Sequence, residues 1–413
     1  MTSLLSRRSL IGASVAGALL LTAAVPASAA FAAPAPAGST VAGTTGTTGT
    51  PSVLPPLDPT ALRAAISDLD HPQATGAQLR VSGSAGKWYG TSGVSDIRTG
   101  RAVHADDKFR AGSITKVFVA TVMMQLAAEH RVSLDAPVRT YLPELLPEEY
   151  SRVTVGELLN HTSGFGDESG PGVPVMKTPE DIVAHRYDRW KPKDIVALVT
   201  NKPLKFTPGT KQEYRGINYI LAALVVEKAT GHAYAKEIDA RILRPLGLTH
   251  TSFPGNDTKI HGPHVHGYLA MSDGKLKDVT EYGQSEAWGE GEMISTVDDL
   301  DTFIAALFSG KLLSKPALDK MLELPSKDVH MLNDGSPASY SMGLQTVTLN
   351  GVQMWGKTGE RYGYNSGMFS TQDGQRRAVY SFNPTHRDST QQQMTLRIAD
   401  AITKAPDTKA PRH

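Results

Sequence analysis

Three separated pieces of this chain carry groups suited to acyl transfer: Ser113-Ile114-Thr115-Lys116, Tyr214, and Lys357-Thr358-Gly359. A serine hydroxyl is a weak nucleophile until something takes its proton, and a neutral lysine amine can do so without a histidine. Residues three apart on a helix are neighbours, so Lys116 falls beside Ser113 within the first turn. There the positive helix end and a desolvated setting both disfavour the ammonium form. Two other Ser-x-x-Lys tetrapeptides, beginning at Ser84 and Ser272, contain glycine and read as turns. The plainer reading of Ser113 is a helix N-cap beside a solvated lysine.

The elements that must position these groups are legible from periodicity. Residues 117–128 are apolar on nearly every side, as in a helix buried in a large domain. Tyr214 lies in a polar turn, 208–219, that feeds a helix over 220–228. A phenol held beside two lysines is expected to have a lowered pKa and to relay a proton to the leaving group. The Lys357 triplet follows the apolar stretch 352–355 and precedes a strand at 364–370, so an edge strand there would offer backbone N–H groups, with that of Ser113, to a developing oxyanion. Asp58-Pro59 caps a first helix to about residue 69, and 77–94 reads as paired strands. Strands return over 345–382 with a turn at Asn350-Gly351, and a last helix covers about 390–402.

In this order the motifs resemble the penicillin-recognising serine hydrolases, which include soluble DD-carboxypeptidases, class C β-lactamases, related esterases and D-aminopeptidases. Supporting stretches are 158–164 with His161, Pro245 to Leu248, Thr251 to Phe253, and Ser295-Thr296 followed by Asp298-Asp299-Leu300. The resemblance implies an α/β (α+β) fold of the β-lactamase/DD-peptidase type, an antiparallel sheet flanked by helices beside an all-helical lobe, with the site between them. It implies Ser113 as nucleophile, Lys116 as base, Tyr214 as proton relay, Lys357 as the third-motif cation, and backbone N–H groups of Ser113 and Glu360 as oxyanion hole. His161, by its family setting, orients a loop rather than serving as a triad base. Thr358, Gly359, Glu360, Gln345, Asn218 and Trp288 are the candidate substrate contacts.

Three departures from the family pattern bear on substrate. Where the family has Tyr-x-Asn, this chain has Tyr214-Arg215-Gly216, leaving Asn218 as the nearest amide. Where soluble carboxypeptidases can place an arginine after a Gly-Leu pair, Gly343-Leu344 is followed by uncharged Gln345. Glu360 puts an acid where a carboxylate-ended substrate would approach. Together they favour a free amine or a blocked C-terminus: a D-stereospecific amidohydrolase or peptidase acting on small D-amino-acid peptides, amides or esters, with transfer to amines and β-lactam recognition open. Alternatives are a D-alanyl-D-alanine carboxypeptidase, a β-lactamase or esterase, and a non-catalytic penicillin-binding sensor. Glu290 and Glu292 are either a solvated acidic turn or cleft groups that attract an ammonium. Trp288 and Trp355 are either cleft walls or core.

Composition fits an exported enzyme. Residues 1–30 combine a basic start holding Arg7-Arg8, an apolar run and small residues near Ala29, the anatomy of a signal peptide, with a resemblance to the twin-arginine type. Residues 31–57 form an Ala/Pro/Gly/Thr-rich linker, 58–404 the catalytic unit and 405–413 a disordered tail. The chain has 413 residues, a net charge of +1 and no cysteine, which excludes disulfides and thiol catalysis and argues for neither nucleic-acid nor membrane affinity. The expected steps need no cofactor or metal. Two competing signals are set aside. Residues 351–358 match G-x-x-x-x-G-K-[ST], but strand-like residues and glycines follow where a phosphate loop must open a helix. His261, His264 and His266 cluster in a Gly- and Pro-containing loop without an adjacent acidic or thiol ligand.

Overall fold

The computed structural model describes residues 54–406. The expected leader, most of the expected linker and the end of the expected tail lie outside these residues. Strands β1 (Ala74–Ser82), β2 (Trp88–Asp96), β3 (Arg101–Ala102), β4 (Gln345–Leu349), β5 (Val352–Arg361), β6 (Tyr364–Ser370) and β7 (Arg377–Pro384) form one antiparallel sheet of order β4-β5-β6-β7-β1-β2-β3. Chain ends thus meet in the middle of the sheet, where β1 pairs with β7.

Strand alternation assigns each face its partner. Ala77, Leu79 and Val81 of β1, with Ala378, Tyr380 and Phe382 of β7, face helices α1 (Pro59–Ser67) and α5 (Gln391–Thr403). The intervening residues face the other way, towards α4 (Val297–Phe308): Ser82 Oγ donates to Asp301 at 2.5 Å, and Arg377 pairs with the same carboxylate at 2.9 Å. Asp58 caps α1 through Thr60 and Ala61, as its Asp-Pro start implies. Leu54 and Leu57 pack on this layer, and Arg376 donates to the Pro55 carbonyl at 2.5 Å, so the end of the expected linker is docked rather than free.

Behind α4 lies the helical lobe, built on α2 (Thr115–Ala128) and α3 (Ile217–Thr230). Both are buried on almost every face, which is why their apolar residues show no single stripe. Phe118 of α2 stacks on Phe303 of α4 with ring centroids 3.7 Å apart, joining lobe to sheet layer. Phe303→Ala is expected to lower stability by about 3–5 kcal/mol through the cavity it leaves. Urea denaturation measures this, and a loss under about 1 kcal/mol would mean that the rings do not hold the two layers together.

The Lys357 triplet lies inside β5, in the half of the strand that β4 does not pair with, so that stretch has the open flank expected of an edge strand. β4 covers only its first half, the pairing ending at Gln345 with Gly356. From Lys357 onward that flank is turned to the segment that carries Ser113. The residues matching a phosphate loop span the β4–β5 hairpin, whose turn residues Asn350 and Gly351 both have positive φ.

Candidate active site

Ser113 sits in a single 3-10 turn, Gly112–Ile114, immediately before α2, and does not cap the helix. The turn is tied down on two sides. Ala111 N donates to the Met293 carbonyl at 2.8 Å, and Thr115 Oγ1 bridges the Gly112 carbonyl at 2.7 Å and Met293 N at 3.1 Å. Gly112 has φ of +55° and lies so near β5 that a Cβ would stand 2.5 Å from the Glu360 nitrogen. Gly359 packs equally tightly on the Ala111 carbonyl. These two glycines bring the backbone around Ser113 against that of Glu360.

Lys116 Nζ is fully buried and donates to Ser113 Oγ at 3.1 Å. It also donates to the Glu290 carbonyl at 2.7 Å and contacts the Glu290 carboxylate. Burial pulls its pKa below that of an ordinary lysine, with Glu290 pulling the other way. Lys357 is buried 4.6 Å from the centre of the Tyr214 ring, with Lys116 5.0 Å from the same centre. Burial and the neighbouring Lys116 hold Lys357 well below the usual lysine range. Its Nζ donates to the Thr358 carbonyl at 3.1 Å.

Tyr214 corrects an expectation. Burial and then the Glu290 carboxylate drive its pKa well above that of a free phenol, so it stays protonated. Its hydroxyl lies beside Ser113 but has no partner of good hydrogen-bonding geometry. His161 packs 4.4 Å from the Tyr214 ring, and its Nδ1 faces two donors, Arg215 N at 3.3 Å and Asn218 Nδ2 at 3.1 Å. That assigns Nδ1 as the acceptor and places the ring proton on Nε2. Burial and the two lysines depress its pKa far below normal, keeping the ring neutral.

Several expected substrate contacts are elsewhere. Asn218 is fully buried, and its carbonyl oxygen accepts from Ser163 at 2.7 Å while its amide meets His161, so it supports the wall behind Tyr214. Gln345 is buried at the start of β4 and does not line the cavity. Trp288 packs edge-on against Tyr234 at 4.8 Å, and Trp355 belongs to the core. Glu360 does line the cavity, but Arg387 lies 3.3 Å from it and offsets the charge expected to repel a carboxylate. Glu290 and Glu292 part company. Glu290 faces the cavity, whereas Glu292 is buried, accepting from Gly255 N at 2.9 Å and from the Tyr234 hydroxyl. Neither is a solvated turn. Two of the three histidines find acidic neighbours in space, His261 with Asp257 at 2.7 Å and His266 with Asp278 at 2.8 Å, while His264 meets the Gly262 carbonyl at 2.7 Å, so these are one-to-one contacts. Among the described residues no three metal-ligating side chains converge.

Ser113 and Tyr214 open on a cavity of about 430 Å³. One side is apolar, formed by Val173, Pro174, Met176, Trp190, Ile195 and Leu198. The other carries Glu168, Glu286, Glu290, Glu360, Arg215, Arg361 and Arg387. Arg361 pairs with Glu286, Arg387 with Glu360, and Arg215 with Glu213 at 2.6 Å. Glu168 accepts from Ile217 N at 2.7 Å, and burial raises its pKa. Glu168 and the first part of the apolar wall carried no signal in the sequence, because residues 166–191 show no periodicity, and nothing local marked Arg361 or Arg387 as lining the cavity.

This sheet, this helical lobe and a serine at their junction are the fold of β-lactamases and DD-peptidases. The chain belongs to the beta-lactamase family, the penicillin-recognising serine hydrolases: the family model described as Beta-lactamase matches residues 62–403. Among solved structures it is similar to a D-stereospecific amidohydrolase from Streptomyces sp., with 33% identity and a TM-score of 0.73 over 84% of this chain and 99% of the other. The D-amino acid amidase from Ochrobactrum anthropi SV3 shares the fold at 24% identity, with a TM-score of 0.69 over 83% of this chain and 98% of that one. Esterase EstB of Burkholderia gladioli is 33% identical over 39% of this chain and 42% of its own length. The chain spans about half or less of the length of the curated relatives it matches.

Proposed function

We propose that this protein is an exported serine hydrolase that cleaves amide or ester bonds of D-amino-acid derivatives carrying a free α-amine. The observation that supports it most is the pair of carboxylates, Glu168 and Glu290, flanking Gly216 beside Ser113. A Cβ on Gly216 would stand 3.3 Å from an oxygen of each. An asparagine there would fill the space, whereas glycine leaves it to an ammonium. The arginines of the cavity are paired already, which leaves a terminal carboxylate no free guanidinium among the described lining residues. The Streptomyces amidohydrolase, similar over nearly its whole length, supports the D-stereospecific class. Two of the three sequence arguments for it lapse with the placements of Gln345 and Glu360, and Gly216 carries the remainder.

Ser113 Oγ attacks the carbonyl as its proton passes to the Lys116 amine, a role that typically accelerates by about 10²–10⁴-fold. Backbone N–H groups of Ser113 and Glu360 receive the oxyanion. The leaving group departs with a proton delivered through the neutral Tyr214 hydroxyl, leaving an ester on Ser113. Water, or an amine, then resolves the acyl-enzyme. The apolar wall accommodates a bulky side chain, and the cavity volume is of the size usual for small ligands.

The decisive measurement compares kcat/KM for D-phenylalanine amide with that for an N-acyl-D-Ala-D-Ala peptide. The amide is expected to be preferred, and clear preference for the peptide would return the carboxypeptidase reading. Glu168→Gln is expected to raise KM for the amide by about 10–100-fold, the worth of a charge-assisted hydrogen bond. The same change should leave KM for an ester lacking the amine within about threefold, since such a substrate brings no charge for Glu168 to bind. Equal effects on both substrates would remove Glu168 from amine recognition.

A further inference from the structure

The three protons of a lysine ammonium are all engaged at Lys116. They go to Ser113 Oγ at 3.1 Å, the Glu290 carbonyl at 2.7 Å and the Glu290 carboxylate. An ammonium so held has no lone pair with which to accept the Ser113 proton. The contact that favours this state comes from a residue that also faces the substrate. Glu290 lines the cavity beside Ser113, and across Gly216 its carboxylate neighbours that of Glu168. The same carboxylate therefore touches Lys116 on one side and, on the other, the space left for a substrate amine.

We propose that Glu290 is a positioning residue that couples recognition to activation: a substrate ammonium takes over its carboxylate and frees Lys116 to become the base. This rests on the free-amine reading above. The protons balance as follows. The substrate ammonium keeps its own, and Lys116 releases one to water in the cavity. The resulting amine then takes the Ser113 proton as the Oγ–carbon bond forms.

The surrounding charges favour that release once Glu290 turns away. Lys357, on β5, shares the Tyr214 ring with Lys116, where the two amines disfavour each other's protonation, and the arriving ammonium adds a positive charge nearby. Glu168, from a loop, and Arg361, at the end of β5, act on Lys116 with opposite sign. Arg215 is paired to Glu213, His161 is neutral, and Tyr219 of α3 presents its ring 5.8 Å from Nζ. Tyr214 stays a neutral phenol. Glu290 is thus the carboxylate in direct contact with Lys116, and its loss lets burial dominate.

The test uses p-nitrophenyl acetate, an acylating reagent with no amine, so it reads Ser113 activation apart from amine selectivity. With the wild type, acylation at neutral pH is expected to be slow. Ethylammonium chloride should accelerate it relative to sodium chloride at equal ionic strength. With Glu290→Gln, the pH at which acylation rises should fall by one unit or more, roughly 10-fold in rate on the acid limb, and ethylammonium should no longer accelerate it. An unmoved pH profile in a folded Glu290→Gln protein, or ethylammonium that accelerates both proteins or neither, overturns the proposal. The ethylammonium arm on wild type decides alone if the variant does not fold. A preference for carboxylate-ended peptides would sink the free-amine reading by a different measurement and leave these reporter rates readable.

Discussion

Ser113→Ala is expected to reduce turnover of a D-amino acid amide by roughly 10⁴-fold or more, because removing a nucleophile leaves only binding and oxyanion stabilisation. The fold should survive. Ser113 lies half-buried in a turn held by Ala111, Thr115 and Met293 through contacts that do not involve its hydroxyl. Removing one acceptor from Lys116 leaves two in place, so the stability change is expected to stay within about 1 kcal/mol. The two effects separate cleanly in kcat and in the urea midpoint. Intact-mass measurement adds a third readout, since the wild type should gain the acyl mass from a slow ester and Ser113→Ala should not. Turnover that persists, or an acyl group that still forms, would place the reacting hydroxyl elsewhere.

Lys116→Met comes next in size, with an expected loss in kcat of about 10³-fold, within the span of general acid–base catalysis. Methionine approximates the buried stem of lysine and removes the amine. The ammonium is fully desolvated, so replacing it relieves a penalty even as it strips Glu290 of its partner. Glu290 borders the cavity and can take water in exchange. Stability is therefore expected to change by less than about 2 kcal/mol, in contrast to the larger cost of orphaning a charge in a sealed core. A kcat within tenfold of wild type would show that Ser113 is activated by another group, with Tyr214 or Lys357 the nearest candidates.

The contrast between what was legible and what was not follows the range of the forces involved. The 58–59 cap, the hairpin at Asn350-Gly351, the paired strands near 77–94 and the apolar helix after Ser113 are properties of consecutive residues, and each is in place. Asn218 misled for the same reason that Ser113 did not. Sequence distance from Tyr214 says that Asn218 is near, but α3 turns its amide inward to His161 and Ser163. Trp288 and Gln345 were chosen by type and alignment, but Trp288 packs against Tyr234 at the edge of the core and Gln345 is buried, so neither lines the cavity.

The amino-acid order by itself determined that a hydroxyl and an amine three residues apart would lie side by side at the start of a buried helix, because that proximity needs only one helical turn, here begun as a 3-10 turn. Tertiary structure alone decided what those groups face. It set a carboxylate 174 residues away in sequence against Lys116 and raised the Tyr214 pKa that two neighbouring lysines led one to expect lowered. Desolvation and long-range ion pairing depend on which distant segments exclude water from the same volume, and no local pattern of residues records that.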